Sequence, residues 1–156
     1  MFSEITKLSN RYGSNPNYVL AGGGNTSCKD SDFLYVKPSE IPLATIKTKN
    51  FIKLKRDSVN KVFSIEQSLS APEREKQVKN LMALSVCSDF SGRPSVEAPL
   101  HNIIPYKYVV HTHPAIVNGM TCGKKGKEIC NKLFPKALWV DYIDPGYTLA
   151  SKLYSL

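Results

Sequence analysis

The stretch Glu97-Ala-Pro-Leu-His-Asn-Ile-Ile-Pro-Tyr-Lys-Tyr-Val-Val-His-Thr-His-Pro114 holds all three histidines of the chain. Its second half, residues 107–113, is an aromatic and β-branched run ending in two histidines, and it reads as a strand. Side chains two apart on a strand share a face, so His111 and His113 can converge on one cation. If that cation is zinc, each ring nitrogen stands about 2.0–2.1 Å from it. The first half reads as a helix through about Ile104, with Ser95 as its N-cap and Pro99 tolerated in the first turns. Glu97 then lies on the first turn. A fold that packs this helix on this strand can set a carboxylate over two imidazoles.

Each of these residues also has a plainer reading. Two histidines can be packing or surface residues, although two on one face behind Val109 and Val110 suit a ligand pair better. A glutamate near a helix N-terminus is a favourable dipole partner. As a general base it would need burial to raise its pKa toward neutrality. A catalytic zinc site takes three protein ligands and an open position. His101, four residues after Glu97, reads first as a core histidine bonded to backbone and second as a third ligand. Glu97 itself is another third ligand for the resting state.

The chain has 156 residues, which indicates one domain large enough to bury a core. The net charge of +8 suits phosphorylated substrates, nucleic acid or acidic lipid. The basic residues are scattered. The densest groups, Lys47 to Arg56 and Lys124 to Lys127, read as solvated surface, so no nucleic-acid partner is expected. The four cysteines form no CxxC pair, and no apolar run approaches membrane-spanning length. With no signal-peptide pattern at residues 1–7, the expectation is a soluble cytoplasmic protein with reduced thiols and no membrane partner.

Taken in order, residues 2–12 read as a helix, 18–21 as a short strand and 33–36 as a second strand. The glycine segment Gly22-Gly-Gly24-Asn25-Thr26-Ser27 would then connect two strands. Residues 41–46 begin a helix. Residues 51–55 form a strand with Phe51, Lys53 and Lys55 on one side and Ile52 and Leu54 on the other. Residues 72–86 form a helix, and 117–133 a helix interrupted at Gly123 and Gly126. Residues 138–142 read as a strand, 144–146 as a turn, and 147–156 as the start of a helix. This alternation implies mixed α/β layers around one sheet. The glycine segment matches no standard nucleotide-binding pattern. Glycines do let backbone N–H groups approach an oxyanion, and Asn25, Thr26 and Ser27 add side-chain donors. A tight turn is the alternative. Ser39 and Ser95, each beside a proline, are phosphate contacts or caps.

Gly23-Gly-Asn-Thr-Ser27, Lys37-Pro-Ser39, Ser95-Val-Glu97, Leu100-His101 and His111-Thr-His-Pro114, in that order and spacing, resemble the class II aldolase/adducin family across roughly residues 15–150. Residues 92–101 and 144–150 look most like the aldolase part of rhamnulose-1-phosphate aldolase/alcohol dehydrogenase fusions. The resemblance implies a three-layer α/β/α sandwich with a mostly antiparallel central sheet, and a homo-oligomer, usually a tetramer. It implies zinc or another divalent cation on His111 and His113, Glu97 as acid/base, and a sugar phosphate held by Gly24, Asn25, Thr26, Ser39 and Ser95. The expected reaction is retro-aldol cleavage of a ketose phosphate. Alternatives on the same scaffold are an epimerase, a dehydratase, or a non-catalytic assembly domain. Two departures stand out. Val96 replaces the family's usual serine, and the family's third zinc histidine, which follows the Pro-Gly turn, has no counterpart here. The expectation is one domain, 1–156, short of the family's C-terminal part, with a weaker two-histidine site.

Overall fold

The computed structural model describes residues 1–66 and 68–156. Four strands make one sheet, β1 (Asn25–Lys29), β2 (Phe33–Val36), β3 (Ile52–Lys55) and β4 (Tyr108–His111), in the order β3-β2-β1-β4. All three pairings are antiparallel. The register sets Asn25 opposite His111 and Ser27 opposite both Val109 and Val36.

Period-2 alternation gives this sheet two buried faces. On one side Leu34, Val36, Ile52 and Leu54 pack with Val59 of α2 (Arg56–Asn60), Met82 of α3 (Ala71–Ser85) and Ala98 of α4 (Ala98–Ile103). On the other, Cys28, Tyr35 and Phe51 pack with Ile5 of α1 (Phe2–Gly13) and with Ile46. Helices on both faces of an antiparallel sheet make the expected α/β/α sandwich. The division of residues 51–55 between two sides is also as expected. The chain continues through α5 (Ala115–Thr121), α6 (Gly126–Leu133) and α7 (Tyr147–Tyr154). Among the described residues no helix is long and apolar enough to cross a membrane.

Several elements depart from the sequence reading. Residues 18–21 form a turn rather than a strand, so the glycine segment leads from a turn directly into β1. β1 itself, Asn-Thr-Ser-Cys-Lys, was not expected. Its polar residues hide the alternation, yet all five are buried. Residues 138–142 pair with nothing as a strand. Residues 41–46 contain only a single 3-10 turn, Leu43–Thr45. The interrupted helix 117–133 is two helices, α5 and α6, parted around Gly123. The helix after Ser95 starts at Ala98, with Glu97 at the N-cap, so Ser95 lies before the cap and Glu97 outside the first turn.

A polar ladder joins β1 to α4. Ser27 Oγ lies 2.7 Å from His101 Nδ1, and Lys29 Nζ donates to the His101 carbonyl at 2.6 Å. Arg56 Nε donates to Asn102 Oδ1 at 2.9 Å. Cations thus meet the carbonyl end of α4, where its last groups lack helical partners. On the opposite face of β1, Thr26 Oγ1 lies 2.7 Å from Ser9 Oγ of α1. Where α1 ends, Gly13 lets the Leu43–Thr45 turn pass close. A Cβ there would stand 2.3 Å from the Ala44 nitrogen.

Two outcomes follow from this packing. Gly13→Ala must push α1 off backbone atoms, and chemical denaturation should show a loss of about 2–4 kcal/mol. Lys29 is 6% exposed. Burial first, then the Arg56 charge, push its ammonium down to about 8 from an ordinary 10.5. Between those pH values the unfolded chain binds a proton that the folded chain does not, so stability rises with pH across the window. Relative to Lys29→Met, the wild type should gain about 3 kcal/mol from pH 8 to 10.5. A flat difference in denaturation profiles would remove the assigned proton linkage.

Candidate metal centre

The antiparallel register that pairs Asn25 with His111 brings the glycine segment and the end of β4 together. His111 is the last residue of β4, and His113 lies just past it, its N–H held by the Tyr18 carbonyl at 2.9 Å. The extended backbone keeps the two rings on one side despite the strand's early end. Their Nε2 atoms are 2.9 Å apart and the ring centroids 4.6 Å apart. Glu97 enters from the start of α4, its Oε2 3.0 Å from His111 Nδ1. Ligand atoms of Glu97, His111 and His113 all lie within 4.8 Å of one another.

The hydrogen bonds select a tautomer. A carboxylate only accepts, so His111 Nδ1 carries the proton and Nε2 presents its lone pair. That lone pair faces His113 Nε2. Either His113 donates a proton into the gap or a cation takes the proton's place. Two imidazole nitrogens aimed together, with a carboxylate fixing the tautomer of one, form the donor set of a divalent-cation site. His111 and Glu97 are mostly covered, with side-chain exposures of 27% and 17%, whereas His113 is exposed. The site is therefore open on the His113 side.

Burial pushes the Glu97 carboxyl up. The hydrogen bond from His111 and the neighbouring Asn25 amide outweigh that and hold it below the usual carboxylate range. A pKa raised toward neutrality, the condition set for a general base on burial alone, is not what this arrangement produces.

Asn25 is 1% exposed and belongs to the centre. Gly24, at φ +74°, passes so close to the His111 carbonyl that a Cβ would stand 2.8 Å from it, a conformation and a space that favour glycine. A Cβ on Gly23 would lie 3.6 Å from His113 Nδ1, so the glycine segment borders the exposed histidine. Ser95 is buried, its Oγ accepting the Glu97 N–H at 3.2 Å. Ser39 is exposed on the turn after β2, its N–H 3.4 Å from the Arg93 carbonyl. Thr26 requires correction: strand alternation turns its hydroxyl to Ser9 on the α1 side, away from the histidines.

One residue near the centre, Lys37, carried no assigned role in the sequence reading. Lys37 is 2% exposed and donates to the carbonyls of Pro38 and Ile41, both at 2.9 Å. Burial lowers its pKa while the Glu97 charge raises it. Its quotation within Lys37-Pro-Ser39 was the available signal. His101 is buried as the core reading required, but its partner is the Ser27 hydroxyl rather than backbone. It is not a third ligand. A broad groove lies elsewhere, between α3 and the start of α7, and reaches the centre's border at Ser95 and Val96.

Comparison with known proteins places the family and the fold. The Class II Aldolase and Adducin N-terminal domain matches residues 3–153. An uncharacterized oxidoreductase of Bacillus subtilis strain 168, YuxG, is 34% identical over 160 residues, 96% of this chain. The chain spans only 22% of that relative's length. The N-terminal class II aldolase domain of a conserved protein from Thermoplasma acidophilum superposes with a TM-score of 0.86 at 29% identity. That match covers 99% of this chain and 74% of the other. With a family match over nearly all its residues and a centre of two histidines and a glutamate, the chain belongs to the class II aldolase and adducin family.

Proposed function

We propose that the domain is a metal-dependent lyase of the aldolase type acting on a ketose phosphate. The observation that carries this is the convergence of Glu97, His111 and His113 beside a glycine turn. His111 and His113 would hold zinc or another divalent cation. When bound, such an ion polarises a carbonyl and stabilises the negative charge of an enediolate. Glu97, bonded to His111 Nδ1, would hold that ring with its Nε2 toward the cation.

In the retro-aldol direction the alcohol that becomes the aldehyde loses its proton. The adjacent carbon–carbon bond breaks, and its electron pair stays on the ketone fragment. A proton then reaches the carbon that held the bond. Glu97 is placed to carry that proton, one hydrogen bond from a histidine of the cation site. The Gly24 turn and Asn25 would seat the phosphate and so orient the breaking bond. Ser39 and Ser95 border the same region. Val96, 56% exposed, offers no hydroxyl there, which leaves the phosphate to backbone and the other side chains.

A homo-oligomer belongs to this reading, and Ile116 of α5 and Leu138 and Tyr142 after α6, 83%, 68% and 93% exposed, are apolar side chains that a second copy would cover. Sedimentation at micromolar concentration should show a species larger than one chain. A strict monomer would contradict this.

Stoichiometric zinc in the purified protein, lost in His111→Ala and His113→Ala, is the expected metal result. Absence of metal at neutral pH would favour a non-catalytic binding domain. Glu97→Gln keeps a carbonyl oxygen to accept the His111 N–H, so metal should remain. Aldehyde release from a panel of ketose 1-phosphates should meanwhile fall by about 10²-fold or more. Unchanged turnover would refute the role of Glu97.

A further inference from the structure

His101 is wholly buried, and its Nε2 is the one buried side-chain nitrogen or oxygen without a partner among the described residues. Leaving such a group unsatisfied costs about 1–3 kcal/mol, and in native folds it marks an ordered water or a working role. Packing alone does not explain it, because a phenylalanine would fill similar space without that cost.

The surroundings limit what Nε2 can serve. Nδ1 is taken by Ser27 Oγ at 2.7 Å. With the hydroxyl donating to Nδ1, the ring proton sits on Nε2. The His101 N–H bonds the Glu97 carbonyl at 3.0 Å, one helical turn away, so both side chains leave one face of α4. The His101 ring lies 6.4 Å from the His111 ring, tilted by 45°. Both nitrogens of His111 are already engaged, Nδ1 by Glu97 and Nε2 by His113. The acceptor whose charge reaches the ring is the Glu97 carboxylate, which His111 and Asn25 also meet; each carboxylate oxygen accepts more than one hydrogen bond. One water can link two groups that do not touch, through two hydrogen bonds in series.

We propose that His101 is a positioning residue for Glu97, holding the carboxylate from behind through one internal water between its Nε2–H and a carboxylate oxygen. The role rests on Glu97 belonging to the centre, as the proposed function has it, and not on which reaction the centre runs. Ser27 sets the ring, the ring sets the water, and the water limits the carboxylate to one orientation. Burial pushes the imidazolium down to about 3, against the opposing charge of Glu97. The ring therefore stays neutral and does not compete with Glu97 for protons.

The test uses the full chain with 15N-labelled histidine, metal-free and zinc-loaded. The His101 signals should show the neutral tautomer with the proton on Nε2 and magnetisation transfer to a long-lived water. His101→Phe should keep secondary structure and zinc content but shift or broaden the far-downfield Nδ1–H proton of His111. Turnover, where the lyase reading holds, should drop about tenfold in kcat with KM within about threefold, and His101→Gln should restore most of it. An unprotonated Nε2, an Nε2–H with no water contact, or an unmoved His111 signal in a folded Phe variant would overturn the proposal. If the Phe variant fails to fold, the water contact in wild type decides alone. If no ketose phosphate is cleaved, the lyase reading fails while the resonance measurements still decide the role of His101.

Discussion

The hydrogen bond from His111 to Glu97 ties the end of β4 back to the start of α4, the element just before it in the chain. It makes a candidate cation site out of groups that would otherwise be a surface histidine pair and a helix cap. It sets the proton on Nδ1, which turns the Nε2 lone pair outward. It also holds the Glu97 carboxylate where a second contact from α4 or β1 can orient it. A bond of this type between partly covered groups is stronger than its exposed equivalent, because fewer waters compete for it.

That bond forms only because α4 is fastened to the sheet by polar contacts more than by apolar ones. The outward alternation of β1 sends Asn25, Ser27 and Lys29 to the α4 side and Thr26 and Cys28 to the α1 side. Three buried polar residues in one short strand would be costly if any lacked a partner. Each finds one on or near α4, and the cost becomes specificity, since a register shift by one residue would strand all three. The apolar layers on either side hold the sheet. The polar ladder decides where along β1 the helix sits, and so where Glu97 stands relative to His111.

The centre is asymmetric in a useful way. Glu97, His111, Asn25 and His101 are covered, while His113 and the glycine turn face solvent. A substrate would approach from the His113 side, past the glycine turn. The covered side gives orientation, and the open side gives access. The broad groove beside α3 meets this region at Ser95 and Val96.

What could be read from the amino acids alone was local and patterned. The His-x-His spacing, the apolar alternation of β2 and β3, the periodicity of α1 and α3, and the glycine turn were all legible, because each is set by neighbours in sequence. The motif set pointed to the family and hence to the sandwich. β1 escaped because its partners, Ser9, His101 and the Glu97 region, lie on helices elsewhere in the chain, and polar residues satisfied at long range look like a loop. The strand expected at 138–142 failed for the converse reason: β-prone residues form a strand only where an edge is offered. The direction of the Thr26 hydroxyl, the proton on His111, the lowered carboxyl of Glu97 and the unpaired nitrogen of His101 all depend on which atoms meet across the fold. Only tertiary packing decided those, because hydrogen bonds and burial are properties of position in space rather than of order along the chain.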